Sequence, residues 1–280
     1  DGFLQKFGKE RIRNTPICES IILSMGLGLS VAGYKSIIEM QFADFVSSGF
    51  NAVVNNLAKS HYRWQQCSDV VVRMPCGAGV GAGPFHSQTN EAWFTHTPGL
   101  KVVYPSSPID AKGLLLTAIE DPNPVMFFEH KALYRSISEQ VPEGYFTIPF
   151  GNAKIVESGT DLSIITYGLG VHWALDFIRN NENISIDLID LRTLVPLDKK
   201  AIDLTVKKTG KVLILHEDIQ IGGFGSDIAS YISENLFEYL DAPIHRVSSL
   251  DTPVPFAENL EKIYLANERL NEAIERIYKY

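Results

Sequence analysis

Short runs of β-branched and aromatic residues alternate along this chain with stretches whose apolar positions recur at helical spacing, and this alternation restricts the fold more than any other feature. The runs at 36–40, 69–73, 101–104 and 125–129 read as buried strands. Between them, 19–32, 45–62 and 108–120 carry the period of amphipathic helices. Strand and helix taken in turn predict an α/β domain with a mostly parallel sheet covered on both faces. The helix at 108–120 has a clear start, with Ser107 as N-cap, Pro108 as first helical residue and Asp110 in the first turn. Periodicity fails over 136–151, where Pro142, Gly144 and Pro149 punctuate a polar stretch that reads as a linker. A second α/β unit follows, with strands expected at 162–166, 184–189, 212–215 and 245–247 and helices at 171–180, 224–236 and 260–278. The expected domains are 1–140 and 141–280.

A chain of 280 residues accommodates two such domains. Its net charge of −8 argues against a nucleic-acid surface, which needs clustered Lys and Arg. Its longest apolar stretch, 21–32, is interrupted by Ser and Gly, so no membrane span is expected. Cys18, Cys67 and Cys76 show no CxxC spacing, which argues against a disulfide framework or a zinc site and points to the cytoplasm. The first residues resemble neither a signal nor a transit peptide, and with no initiator methionine the chain is expected to be a piece of a longer one.

The stretch richest in chemistry is Phe85-His86-Ser87-Gln88, set just after Gly77, Gly79, Gly81 and Gly83. Glycine at alternate positions lets the backbone approach a ligand closely. A histidine at the end of such a bend is a candidate proton carrier near neutral pH. Gly77-x-Gly79-x-x-Ala82 matches a loose dinucleotide fingerprint, but a polar loop follows it where that motif needs a helix. There is no Walker A motif and no G-x-S-x-G elbow, and His216-Glu217-Asp218 lacks the second histidine of HExxH. His61, His172 and His245 read as surface or core residues, and Cys18 and Cys76 as small buried hydrophobes. Upstream, Glu19 opens an apolar helix among Ile17, Ile21 and Ile22, a setting that would disfavour the ionised carboxyl and suit one that shares a proton with a ligand nitrogen. The alternative for Glu19 is a charge that complements the helix N-terminus.

Together these residues resemble the β subunit of the E1 component of 2-oxoacid dehydrogenase complexes, a thiamine diphosphate family. The likeness runs through Asn-Thr-Pro-Ile-Cys-Glu (14–19), Glu-Met-Gln-Phe-Ala-Asp-Phe (39–45), His-Ser-Gln (86–88), Thr-Pro-Gly-Leu-Lys-Val-Val-Tyr-Pro (97–105), Asp-Ala-Lys-Gly-Leu-Leu (110–115), Asp-Leu-Arg-Thr-Leu-Val-Pro-Leu-Asp (190–198), Lys-Thr-Gly-Lys-Val-Leu-Ile-Leu-His-Glu (208–217) and Gly-Gly-Phe-Gly-Ser-Asp-Ile (222–228). Phe-Phe-Glu-His-Lys-Ala-Leu-Tyr-Arg (127–135) is most similar to the branched-chain subgroup.

The resemblance implies a transketolase-like pyrimidine-binding domain followed by a transketolase C-terminal-type domain. It implies oxidative decarboxylation of a branched-chain 2-oxoacid with acyl transfer to E2 lipoamide, the alternatives being pyruvate or acetoin dehydrogenase E1 β or an assembly-only subunit. Glu19 matches the glutamate that bonds the cofactor ring nitrogen N1′ and promotes the imino tautomer. Ile17 matches a pocket-lining residue, Gln41 a glutamine on the substrate side, and Phe45 an aromatic near the pyrimidine, where branched-chain enzymes carry tyrosine. His86 matches the histidine that assists acyl transfer to the lipoyl arm. A potassium site of relatives falls on Ser68, Val70, Val71, Ala118, Asp121 and Asn123, with Val71 replacing a threonine. Magnesium and the Gly-Asp-Gly diphosphate motif are expected on an E1 α subunit or a fused α half. Further expected partners are a second copy, as a dimer, and the E2 acyltransferase. The family also implies a helix and a Gly-Glu-Asp-Val strand ahead of this chain, and with it the first parallel strand of the sheet.

Overall fold

Most of the apolar runs become strands with largely buried side chains, the condition for a sheet with helices on both faces, while the run at 36–39 forms an edge strand with Ile37 exposed. In the computed structural model, which describes residues 2–280, the first half runs α1 (Phe3–Phe7), α2 (Glu19–Val31), β1 (Ser36–Glu39), a 3-10 helix (Ala43–Gly49), a π-helix (Ala52–Leu57), α3 (Ser60–Trp64), β2 (Val70–Cys76), α4 (Ala92–Thr95), β3 (Lys101–Val103), α5 (Pro108–Glu120), β4 (Val125–His130) and α6 (Leu133–Ser136). After the irregular linker come β5 (Lys154–Glu157), β6 (Leu162–Thr166), α7 (Leu169–Asn180), β7 (Ile186–Asp190), β8 (Thr193–Val195), α8 (Lys199–Thr209), β9 (Val212–Ile219), α9 (Gly225–Asn235), β10 (His245–Ser249), α10 (Glu258–Tyr264) and α11 (Asn267–Tyr278).

The first sheet has the order β1-β2-β4-β3-β8 and the second β10-β9-β6-β7-β5. All pairings are parallel except β3 with β8 and β5 with β7. Strand β8 comes from the second half yet completes the first sheet, so the halves share a ladder. Around it, Tyr104 N donates to the Arg192 carbonyl at 2.8 Å, and Arg192 Nη1 meets Asp110 Oδ1 at 3.0 Å. One buried apolar cluster runs through both halves, from Leu23, Val72 and Phe128 to Ile165, Ile214 and Ile228. Each such side chain contributes roughly 1.5–3 kcal/mol by leaving water.

The structure corrects four expectations. Residues 45–62 form no continuous α-helix but a 3-10 helix, a π-helix and α3. Gly49 explains the first break: a Cβ there would strike Leu23 and the backbone of Glu19, so the chain bends to bring α2 close. Val53-Val54-Asn55-Asn56 then supplies β-branched and amide residues that favour the α form weakly. The helix expected at 260–278 is two helices, because Leu265 is extended and the Arg269 guanidinium takes the carbonyls of Ile263, Tyr264 and Leu265. Helices α1, α4, α6 and α8 and strands β5 and β8 are additional to those expected. Finally, Ile17 and Ile21 are 90% and 58% exposed, so only Ile22 of the expected apolar surround of Glu19 packs inward.

Candidate active site

In a parallel α/β sheet, ligands meet the chain beyond the carboxyl ends of the strands. The residues selected from the sequence for catalysis and cofactor binding gather there. Glu19 is the first residue of α2, whose N-terminus lies at that rim, and Gln41, Phe42 and Phe45 follow the end of β1. Ser48 Oγ donates to Glu19 Oε2 at 3.1 Å, which leaves Oε1 for a ligand. The ring of His86 meets Phe42 edge-on at 5.0 Å and Phe45 at 5.4 Å between centroids. The 3-10 helix Ala43–Gly49 thus holds Glu19 through Ser48 and His86 through Phe45. Ile17 lies on the surface beside this rim, and Gln41 is exposed.

His86 sits near the end of a closed loop. Its ends meet where Gly77 N donates to the Gln88 carbonyl at 3.3 Å. Asp44 Oδ1 accepts from Gln88 N at 3.2 Å and from Nε2 at 2.9 Å, and Asn90 Nδ2 donates to the Ala43 carbonyl at 3.1 Å. The Lys131 ammonium donates to the His86 carbonyl and lies over the Phe42 ring at 4.9 Å. Burial lowers the Lys131 pKa against the attraction of Asp44, Glu217 and Glu261.

The glycines adopt φ of +95°, +82°, +68° and +69°, a left-handed backbone that suits residues without a Cβ. The amides of Ala78, Gly79 and Gly81 face protein carboxylates. Ala78 N donates to Glu217 Oε1 at 2.6 Å, Gly79 N to Glu261 Oε1 at 2.9 Å, and Gly81 N to Glu261 Oε2 at 3.1 Å. The dinucleotide alternative fails here, since these donors serve side chains of the second half.

Beneath the loop lies a buried polar set. Tyr167 Oη donates to Glu91 Oε1 at 2.7 Å, and His130 Nε2 lies 2.6 Å from Glu217 Oε2. Ala132 N donates to His130 Nδ1 at 3.2 Å, so the ring proton of a neutral His130 sits on Nε2, facing Glu217. Burial pushes Glu91 up to about 7 and Asp218 up to about 8, and holds His216 down at about 4.

The family model "Transketolase, pyrimidine binding domain" matches residues 2–136, and "Transketolase, C-terminal domain" matches 151–269. The chain is 44% identical to 2-oxoisovalerate dehydrogenase subunit beta 2, mitochondrial, of Arabidopsis thaliana, covering 100% of this chain and 79% of that protein. It is 44% identical to the 2-oxoisovalerate dehydrogenase subunit beta of Bacillus subtilis, over 98% of this chain and 86% of the relative. The chain belongs to the E1 β-subunit family of 2-oxoacid dehydrogenases. Pyruvate dehydrogenase E1 component subunit beta of Rickettsia felis matches at 43%, over 100% of this chain and 87% of the relative. Among solved structures, a split gene transketolase, described as an inactive beta4 tetramer, superposes with a TM-score of 0.80 at 23% identity, over 99% of this chain and 86% of that one. That likeness shows the transketolase-like fold.

In this E1 β-type chain, Ser68, Val70, Val71, Ala118, Asp121 and Asn123 come together at the opposite, amino-terminal rim of the sheet. Val71 and Ala118 pack in one apolar cluster, and the Ser68 carbonyl accepts from Val70 N at 2.8 Å. Asp121 Oδ2 pairs with the Lys101 ammonium, and Oδ1 accepts from Asn123 N at 2.9 Å and Nδ2 at 2.8 Å. Burial would raise the Asp121 pKa, but these bonds outweigh it and hold the carboxyl below its usual range. Both oxygens of Asp121 are thus engaged, by the Lys101 ammonium and by Asn123, while Ser68 Oγ is buried without a hydrogen-bond partner among the described residues. Among the described residues, no group of three or more His, Cys, Asp and Glu side chains could hold a metal ion, and no helix is long and apolar enough to cross a membrane.

Sequence reasoning named neither Ser48, Asp44, Lys131, Glu217 nor Glu261 as site residues. Asp44 and Glu217 lay inside the family motifs; Glu261 had no local signal. A cleft of about 980 Å3 opens beside the 3-10 helix, lined by Ser47, Phe50, Trp93, His96 and, from the second half, Gly223 and Asp227. Neither Glu19 nor His86 lines it, and both are half-buried.

Proposed function

We propose that this E1 β-type chain supplies the pyrimidine-binding half of a branched-chain 2-oxoacid dehydrogenase active site. The observation that carries the reading is the convergence of Glu19 and His86 on the Ala43–Gly49 helix. A carboxylate with one oxygen free and an aromatic wall beside it fit the aminopyrimidine end of thiamine diphosphate, which supplies the electron sink for decarboxylation when bound. Glu19 Oε1 would share a proton with the ring nitrogen N1′, Phe45 would pack on the ring, Ile17 would line the pocket and Gln41 would face the substrate. The His86 imidazole takes and returns a proton as the acyl group leaves for the lipoyl arm of E2, help worth about 10²–10⁴ in rate.

The E1 α subunit, or a fused α half, is assigned the diphosphate end and its magnesium. Exposed Ile17, Ile21, Met25 and Leu29 at the start and along one side of α2 support such a partner. A second copy and the E2 acyltransferase complete the assembly. Three free cysteines fit a cytoplasmic setting.

The test is Glu19→Gln in enzyme reconstituted with the α half. The expected result is intact assembly with thiamine diphosphate-dependent turnover down by about 10² or more. Full activity would reduce the chain to an assembly-only subunit. The similar identity to a pyruvate dehydrogenase relative makes pyruvate the second substrate reading, decided by kcat/KM for pyruvate against branched 2-oxoacids.

A further inference from the structure

The glycine loop that carries His86 touches the second half at four points. Glu261, on α10 and 3% exposed, accepts from the amides of Gly79 and Gly81. Glu217, at the end of β9, accepts from Ala78 N while its other oxygen meets His130. The Phe256 ring lies against Gly83, where a Cβ would overlap it. Ala78 itself is fully buried against Val254 and Tyr264.

A run with glycine at every second position has more backbone freedom than a run without glycine, and ordering it costs correspondingly more entropy. Successive amides turned outward by left-handed residues form a concave anion site. Here the anion is a side chain of the same molecule, delivered from about 180 residues away, and charge-assisted bonds of this kind are the strong ones. On the other side, Lys131 and Asp44 fasten the loop's far end. Without Glu261 the portion from Gly79 to Gly83 keeps the Ala78 anchor, the Phe256 contact and the bond from His86 N to the Gly83 carbonyl but loses its charge-assisted bonds, and the population with His86 seated on Phe42 and Phe45 falls.

We propose that Glu261 is a positioning residue for His86: its carboxylate selects the one loop conformation that seats the imidazole at the rim. This rests on the role assigned to His86 above. The second half then sets the geometry of proton transfer in the first, in addition to any part in assembly.

The experiment uses the reconstituted holoenzyme with thiamine diphosphate and compares two rates: reduction of an artificial dye oxidant by the 2-oxoacid, and reductive acylation of a lipoyl domain. Glu261→Gln, which keeps the side-chain shape, is expected to lower kcat for acylation by about 10- to 10²-fold, as small misplacements of a reacting group do. The KM for the 2-oxoacid should stay unchanged and the dye rate nearly so. In a His86→Ala background the same substitution should cost nothing more, and Glu261→Asp, which retains the charge, should recover part of the rate. Deuterium exchange of segment 77–86 should accelerate in Glu261→Gln. Normal acylation by Glu261→Gln with His86→Ala impaired overturns the positioning role alone. An equal loss in both assays, or a loss that persists without His86, overturns it as well. If His86→Ala acylates normally, the assigned role of His86 and this inference fall together.

Discussion

Ser48 Oγ hydrogen-bonds Glu19 Oε2 at 3.1 Å, tying the first turn of α2 to the 3-10 helix that also backs His86. The bond orients the carboxylate without occupying both its oxygens. Ser48→Ala is therefore expected to weaken thiamine diphosphate binding by about 1 kcal/mol, roughly fivefold in apparent Kd, with the fold unchanged. Titration of the reconstituted enzyme with cofactor measures this. An unaltered midpoint would mean that Glu19 is held by other means.

Gly49 lets that same turn approach. A Cβ there would press on Leu23 and lie 3.2 Å from the Glu19 carbonyl carbon and oxygen. Gly49→Ala should cost about 1–3 kcal/mol in urea unfolding, as overpacking does. Because the pressure falls on Glu19, cofactor affinity should drop further than Ser48→Ala lowers it. Wild-type stability and affinity together would refute the packing argument.

Arg192 joins the two halves through Asp110, with side chains 13% and 3% exposed. Arg192→Met keeps the aliphatic stem but strands a buried carboxylate. An expected loss of about 3 kcal/mol follows, at the lower end for a broken buried pair because Lys154 lies 3.9 Å from the same carboxyl. Denaturant midpoints at constant slope give the number. A change under about 0.5 kcal/mol, the range of ordinary surface substitutions, would show that Asp110 finds another partner.

Stability should fall as pH rises between about 6.5 and 8. Burial lifts Glu91 and Asp190 to about 7 and Asp218 to about 8, all above their unfolded values. Groups raised in this way contribute fully at acid pH and lose their contribution as pH climbs through the folded values. His216, depressed to about 4 by burial, acts in the opposite sense, but only below its unfolded value near 6.5. In the upper window the acids therefore act without its opposition, each by at most about 1.4 kcal/mol per pH unit. Glu91→Gln mimics the protonated acid and should flatten the slope in urea unfolding at pH 6.5 and 8. An identical slope would mean that Glu91 is ionised throughout.

The strands at 69–73, 101–104 and 125–129 were legible because burial on both faces writes apolar runs into a sequence, whereas the strand at 36–39 lies at the sheet edge with Ile37 exposed. Helix α5 was legible from its cap, and Ser107 Oγ indeed accepts from Asp110 N at 3.2 Å. Helix α8 escaped notice because Lys and Asp cover its outer face. Its signal was Asp198, which caps Ala201 N at 3.0 Å ahead of Ile202 and Val206. The isoleucines near Glu19 misled: residues that read as a buried surround stand on the surface of this chain. Glu261 could not be found locally, since a glutamate on an amphipathic helix ordinarily faces water and only the tertiary fold brings it to Gly79.

Strand β8 crosses from the second half to pair with β3 in the first. Severing the chain in the 136–151 linker would yield two polypeptides that still need each other, because the first piece alone would carry a bare sheet edge inviting aggregation. Circular permutation through that same linker, by contrast, should leave every ladder intact.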